Sequence, residues 1–334
     1  MDSLALAAQN LTSPMVLCFA LGLAAALARS DLSIPEPIAK ALSIYLLFAI
    51  GMKGGTSVAA HGVDATLLGA IFAGAVLSAL IPVIAFIALR AISGLSRVDA
   101  AAVAAHYGSI SIVTFVAGTS ALGGLGIDFE GYMVAVAAVM EAPAILVALY
   151  LARSAASPED AAAAEEEAHL PGEPNLMREV LLNGSIVLLV GAFAIGVIIG
   201  PAGAEEIAPF TVDPFKGVLC LFLLDMGLIA GRGLRSSVKY LSPPVLLFGL
   251  VAPFCGAALG LAAAAIVGLS VGGAALLAVL SASASYIAVP AAMRVALPQA
   301  QPAIYLTLSL GVTFPMNLTL GIPVYIAAAQ AFLA

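Results

Sequence analysis

Three serines alternate with alanine in LSASASY, Leu280 to Tyr286, between the apolar runs GGAALLAV and IAVPAAM. On a regular helix Ser281 and Ser285 would share a face and Ser283 would point elsewhere; on extended backbone all three would lie on one side. Extended backbone at membrane depth is tolerated only where it lines a cavity or is buried in protein. A second stretch of the same character is HYGSISIVT, His106 to Thr114, with Gly108, Ser109, Ser111 and Thr114 in close succession. Hydroxyls together with freed carbonyls suit a sodium ion, which takes several hard oxygen ligands. Freed amides and helix N-termini suit an anion. The pair of stretches therefore offers both halves of a sodium–anion site.

Few other polar residues interrupt the apolar segments. Glu141, in VMEAPAIL, is a carboxylate in a segment where charge is costly, and such a residue defaults to a functional hypothesis. Asp225, in LFLLDMG, either serves a site or holds a glycine-rich turn. Asn317, in FPMNLTLGIP, either ligates or hydrogen-bonds a kink left by Pro315. Tyr286 either donates a hydrogen bond to an anion or fills space. His106 reads as a packing residue, and Asp99 as an acid in the first turn of a helix. Serine and threonine in membrane helices often do no more than bond a backbone carbonyl; it is the recurrence of two such stretches that points to a site. The chain contains no Walker A loop, HExxH, CxxC or GxSxG, so the usual enzymatic constellations are missing and no enzymatic activity is expected.

The elements that must position these groups follow from composition. The chain has 334 residues, of which 63% are hydrophobic and 9% charged, with mean hydropathy +1.14. Soluble domains carry about 25% charged residues, so this is an all-α polytopic membrane protein in a lipid bilayer. Without a basic stripe, nucleic-acid binding is not expected. Cys18, Cys220 and Cys255 are odd in number and far apart in sequence, which argues against a disulfide framework or a metal site. Asp2 and the lack of Lys or Arg before the first apolar run argue for a retained first helix rather than a cleaved signal peptide.

About ten apolar segments are long enough to span or nearly span: 13–28, 36–52, 65–92, 98–120, 131–153, 178–200, 214–231, 242–268, 271–295 and 301–333. The last holds Pro302, Pro315 and Pro323 and is expected to be kinked or split in two. An acidic linker, 154–177, divides a first half (1–153) from a second (178–334). With loops numbered alternately, one side receives Arg29, Lys40, Arg90, Arg97, Arg153, Arg178, Arg232, Arg235, Lys239 and Arg294, and the other only Lys53 and Lys216. The rich side is cytoplasmic by the positive-inside bias, so the linker is cytoplasmic and both termini are periplasmic. Five segments per half means the halves insert in opposite senses. LLFAIGMKGG matches LFLLDMGLIAG, HYGSISIVT matches LSASASYIA, and MEAP falls opposite FPMN, all about 175 residues apart. Inverted repeats of this kind are characteristic of secondary transporters.

At these residues the sequence resembles the sodium-dependent bicarbonate transporter family, best known from cyanobacteria. LLFAIGMKGG, VDAAAVAAHYGSISIVTFVA, the MEAPAILVALYLA run, LLAVLSASASYIAVPAAMRVALP and LGIPVYIAAAQ carry the resemblance, over nearly the whole chain. It implies two inverted five-helix repeats, a core domain moving against a gate domain, a homotrimer, coupling of a small anion to sodium, and docking of a soluble PII-type regulatory protein on the cytoplasmic face. The family's first serine-rich motif falls on Gly108, Ser111 and Thr114, with Ile112 and Val113 where the family tends to carry glycine and serine. Its second motif, a serine run ending in aspartate, falls on Ser283 and Ser285, with Ala282 and Ala284 replacing serines and Tyr286 replacing the aspartate. Glu141 stands where the family shows a carboxylate. The implied sodium ligands are Ser111, Thr114, Ser283 and Ser285, within a site that also takes in Gly108, Ser109, Glu141, Ser281, Tyr286 and Asn317. The expected function is sodium-coupled bicarbonate symport by elevator-like alternating access, with sodium the coupling ion and no other cofactor. Other readings are a sodium- or proton-coupled carrier of a small organic anion such as a monocarboxylate, and a transport-inactive regulatory protein of the same fold. The Ala- and Gly-rich composition is consistent with a GC-rich bacterium, and the expected location is a bacterial inner (plasma) membrane.

Overall fold

A computed structural model describes residues 11–62, 65–153, 184–237 and 241–333. The acidic linker, Arg178 and Lys239 lie outside them. The described residues form thirteen helical elements and no strand. They are α1 (Pro14–Leu27), α2 (Glu36–His61), α3 (Ala65–Ile92), α4 (Arg97–Gly108), α5 (Ile112–Leu125), α6 (Met133–Val139) and α7 (Ala142–Arg153), then α8 (Gly184–Thr211), α9 (Phe215–Ser237), α10 (Pro243–Val267), α11 (Val271–Ala282), α12 (Ala288–Ala296) and α13 (Pro302–Leu333). Among the described residues, eight helical spans are long and apolar enough to cross a bilayer, with α4–α5 and α6–α7 each counted as one; α1 and α11 are shorter apolar helices. The chain is thus an all-α polytopic membrane protein.

Several boundaries differ from the hydropathy reading. Helix α2 does not stop near Lys53 but runs on to His61, because the ammonium is accommodated over the ring of Phe129, 5.7 Å from its centroid. Helix α8 continues past Gly200, where a positive φ of 61° kinks it, to Thr211. Helix α13 is not split. Two π-helical stretches, Thr307–Thr313 and Asn317–Gly321, flank Pro315, and the widened turns absorb the missing proline N–H within a continuous helix.

The helices pack in two groups. Helix α2 lies along α8 and α1 along α9, with α2 also touching α9. The second group comprises α3–α7 and α10–α13, in which α4 packs on α3 and α7, and α11 on α10 and α13. Glycines set the closeness of the first group. A Cβ on Gly51 would stand 2.7 Å from the carbonyl oxygen of Leu189, and one on Gly231 would stand 2.9 Å from that of Leu23. At Gly55 the obstacles are all backbone: the Phe193 carbonyl, the Val197 nitrogen at 2.8 Å and the Gly196 Cα at 2.9 Å. Gly55→Val is therefore expected to force α2 and α8 apart and to cost about 1–3 kcal/mol or more. Thermal unfolding of the detergent-solubilised protein checks this, and an unchanged melting temperature would contradict the packing.

In the second group, helix N-termini are tied across the chain. Ser96 caps α4, accepting from the Asp99 N–H at 3.0 Å and donating to Asp99 Oδ2 at 2.6 Å. The other Asp99 oxygen accepts the Gln301 N–H at 2.8 Å, beside the start of α13. Ser270 likewise caps α11 through the Gly273 N–H at 3.1 Å. Its own N–H and hydroxyl donate to Glu130, at 2.7 and 2.9 Å, just before α6.

Candidate functional site

Both serine stretches are breaks between half-helices. Helix α4 ends at Gly108, whose missing side chain leaves room for Pro82 of α3 and Ala144 of α7. Ser109 is extended (φ −86°, ψ 166°), as is Ser111 (φ −104°, ψ 109°), whose hydroxyl caps α5 by accepting the Thr114 N–H at 3.2 Å. In the second stretch α11 runs to Ala282, Ser283 is extended (φ −81°, ψ 162°), and helix resumes at Ala288. Ser281 is thus helical, and the extended backbone begins two residues later than a uniform reading of LSASASY implies.

The two breaks cross. The Ser111 N–H donates to Ser283 Oγ at 2.9 Å, and that hydroxyl donates to the Leu280 carbonyl at 2.8 Å. The Ser285 N–H donates to the His106 carbonyl at 2.7 Å. Peptide groups released by unwinding have no water to turn to at this depth, and each stretch satisfies them on the other.

A third break lies beside the crossing. Between α6 and α7, Glu141 is buried, and its Oε2 accepts the Ser109 hydroxyl at 2.8 Å. Ser78 of α3 braces this break, donating to the Met140 carbonyl at 2.6 Å and accepting the Ala144 N–H at 3.2 Å.

A cavity of about 10 Å³ opens among these groups, lined by Ser111, Glu141, Ser285 and Tyr286 on one side and by Leu47 of α2 and Leu189 of α8 on the other. It lies where the two helix groups meet. Its wall also includes Ile112 and Ala288, the first residues of α5 and α12, so two positive helix ends converge on it. The volume holds about one water. Tyr286 fills much of the remaining space, its ring packed edge-on against Phe314 with centroids 5.3 Å apart. Its hydroxyl is buried beside the Ser111 side chain but makes no hydrogen bond of good geometry. The Thr114 hydroxyl is buried and unpartnered.

The remaining expected site residues are distributed around this centre. Asn317 donates to the Ala282 carbonyl and accepts the Tyr325 hydroxyl, both at 2.8 Å; it holds the end of α11 rather than a kink at Pro315. Ser281 is buried without a partner on the α10 side, facing Gly256 and Gly260 and lining a separate apolar cavity. Asp225 is buried in α9, in the other helix group, with one oxygen unpartnered. His106 bonds the Ala102 carbonyl through Nδ1 at 2.6 Å and stacks on Tyr305 with ring centroids 4.5 Å apart. Leu47, Leu189 and Ser78 escaped the sequence reading. The leucines carry no signal in apolar helices, whereas Ser78 could have been noticed as the polar side chain in the middle of the 65–92 run, far from Thr66 and Arg90 near its ends.

A family model described as the Na+-dependent bicarbonate transporter superfamily matches residues 14–330. Among curated proteins, none matches the chain.

Proposed function

The chain belongs to the Na+-dependent bicarbonate transporter superfamily, and from that premise we propose that it is a secondary transporter that carries bicarbonate with sodium by elevator-like alternating access. One observation carries the reading: two uncapped or hydroxyl-capped helix N-termini, two crossed unwound stretches and one carboxylate surround a single cavity between two helix groups. The anion faces the N-termini of α5 and α12 and the Ser111 and Ser285 hydroxyls. Sodium takes oxygens from Ser111, Thr114, Ser283 and Ser285, with Glu141 as the neighbouring negative charge. The buried, unpartnered Thr114 hydroxyl supports this assignment, since it is a hard oxygen with no other use. Ser283 already donates to Leu280 and accepts from Ser111, so one lone pair remains for an ion.

In this reading α3–α7 and α10–α13 form the moving core, and α1, α2, α8 and α9 the gate. With the cavity closed to about a water's volume, bicarbonate enters when the core slides away from Leu47 and Leu189. The halves 1–153 and 178–334 are inverted repeats joined by the 154–177 linker. Matching pairings support the repeat: α2 on α8 answers α9 on α1, and α3 on α4 answers α10 on α11. The protein acts as a homotrimer in a bacterial inner membrane, with both termini periplasmic and the linker on the side where a PII-type protein would dock.

The test is uptake of labelled bicarbonate into proteoliposomes with and without an inward sodium gradient. Uptake that requires sodium and falls about tenfold in Ser285→Ala, the effect of losing one hydrogen bond to a charged ligand, supports the proposal. Uptake driven by a pH gradient and indifferent to sodium would make it a proton-coupled carrier. No uptake under either condition removes bicarbonate as the substrate, and sodium-dependent binding of small monocarboxylates then separates another carrier from a transport-inactive protein.

A further inference from the structure

The cysteines are far apart in sequence, yet two of them meet. Helices α1 and α9 run alongside one another at close range, because Gly22 faces the backbone of Leu224 and Leu228, and Gly227 faces that of Phe19 and Leu23. Cys18 lies one turn before Gly22 on the same face of α1, and Cys220 one turn before Leu224 on the same face of α9, so this packing makes the two thiols neighbours across the helix pair. Both are free thiols and partly buried. Cys220 also lines a cavity of about 260 Å³, together with Ser13, Ser120, Lys216, Pro323 and Ile326. The third cysteine, Cys255, sits apart on α10, at the other apolar cavity.

We propose that Cys18 and Cys220 form a dithiol–disulfide site that a small disulfide-bearing oxidant entering this cavity converts to an intramolecular bond between α1 and α9. Cys220, on the cavity wall, attacks one sulfur of the oxidant as its thiolate, forming a mixed disulfide and releasing one thiol. Cys18, its neighbour, then attacks Cys220 Sγ, closing the Cys18–Cys220 bond and releasing the second thiol. The protein loses two protons and two electrons, and the oxidant's disulfide gains both to become two thiols. A disulfide needs a short Cα separation, and the glycine contacts at Gly22 and Gly227 hold the two backbones close on the same helix faces. The proposal is independent of what the protein transports.

The experiment uses the purified full chain with Cys255→Ser and hydroxyethyl disulfide as the oxidant. Intact mass and thiol counting after denaturation are the readouts. The expected product lacks two hydrogens, carries no adduct, has no titratable thiol, and regains two thiols with dithiothreitol. A further Cys18→Ser substitution is expected to halt the reaction at one adduct on Cys220. The disulfide form is also expected to melt at a higher temperature than the reduced form, a shift that dithiothreitol reverses. A protein that keeps two thiols, carries two adducts, or links between chains on a non-reducing gel would overturn the proposal.

Discussion

Glu141→Gln is expected to raise the sodium concentration needed for half-maximal uptake by about ten- to a hundredfold. The cavity has one carboxylate on its wall, Glu141, at a break between α6 and α7. Its Oε2 is fixed by the Ser109 hydroxyl, and the peptide groups on either side of the break are held by Ser78. Glutamine keeps the shape and can still accept from Ser109, so the substitution removes charge with little else. Interactions with a charged group are worth about 1.5–3 kcal/mol, and each ~1.4 kcal/mol is a factor of ten in affinity. Uptake rates measured over a range of sodium concentrations, at saturating bicarbonate, decide the matter. If the carboxylate serves sodium, the maximal rate is largely recovered at high sodium. A sodium dependence identical to that of the parent protein would remove Glu141 from the ion's surroundings.

The second large effect concerns Tyr286. Its ring is buried against Phe314 and lines the cavity, while its hydroxyl, beside Ser111, makes no hydrogen bond of good geometry. Truncation in Tyr286→Ala is expected to cost about 3–5 kcal/mol of stability, as for other large aromatic side chains cut back in a core. Tyr286→Phe is expected to melt at the same or a higher temperature, because it removes a buried hydroxyl that has no well-formed bond to Ser111, and an unsatisfied buried group costs about 1–3 kcal/mol. The pair also separates two roles. If the hydroxyl donates to the anion during transport, Tyr286→Phe raises the KM for bicarbonate by about tenfold, one hydrogen bond to a charged ligand. If the ring only fills space, the KM stays where it was. A strong loss of stability in the phenylalanine variant would contradict the geometry on which both expectations rest.

Much of this architecture is legible in the sequence because lipid imposes a simple rule. Apolar runs become helices, and the breaks in them must be paired or line a cavity. The alternation in LSASASY signals extended backbone, and Ser283 is extended; but alanine suits helix and extended chain alike, so the end of α11 at Ala282 leaves no mark in the composition. The crossing partners were less legible. The Ser111–Ser283 bond joins residues that no local pattern connects, and the His106 carbonyl that receives the Ser285 N–H belongs to a backbone group that every residue has. The prolines of α13 left a kink or a split open, and π turns keep the helix continuous in a way that is not written in the proline spacing. Lys53 misled at the end of α2, because its accommodation depends on Phe129, contributed by a distant loop. The contact between Cys18 and Cys220 depends on glycines elsewhere on the same two helices.

The ties at the helix N-termini bear on how the protein is made. Asp99 of the first half is held by Gln301 near the end of the second, and Glu130 of the first half holds Ser270 of the second. Helix α2 rests on α8, and α1 on α9. Each half packs part of the core on itself, α3, α4 and α7 in the first and α10, α11 and α13 in the second, but α1 and α2 find their partners in the other half, and so do the crossed serine stretches. During synthesis the first five segments reach the bilayer while the groups that complete them are still unmade, and they must wait there with glycine-lined faces and unwound peptides unsatisfied. Joining of the halves is therefore a late event after insertion, and until Gln301 emerges the Asp99 carboxylate has only its own helix cap to hold it.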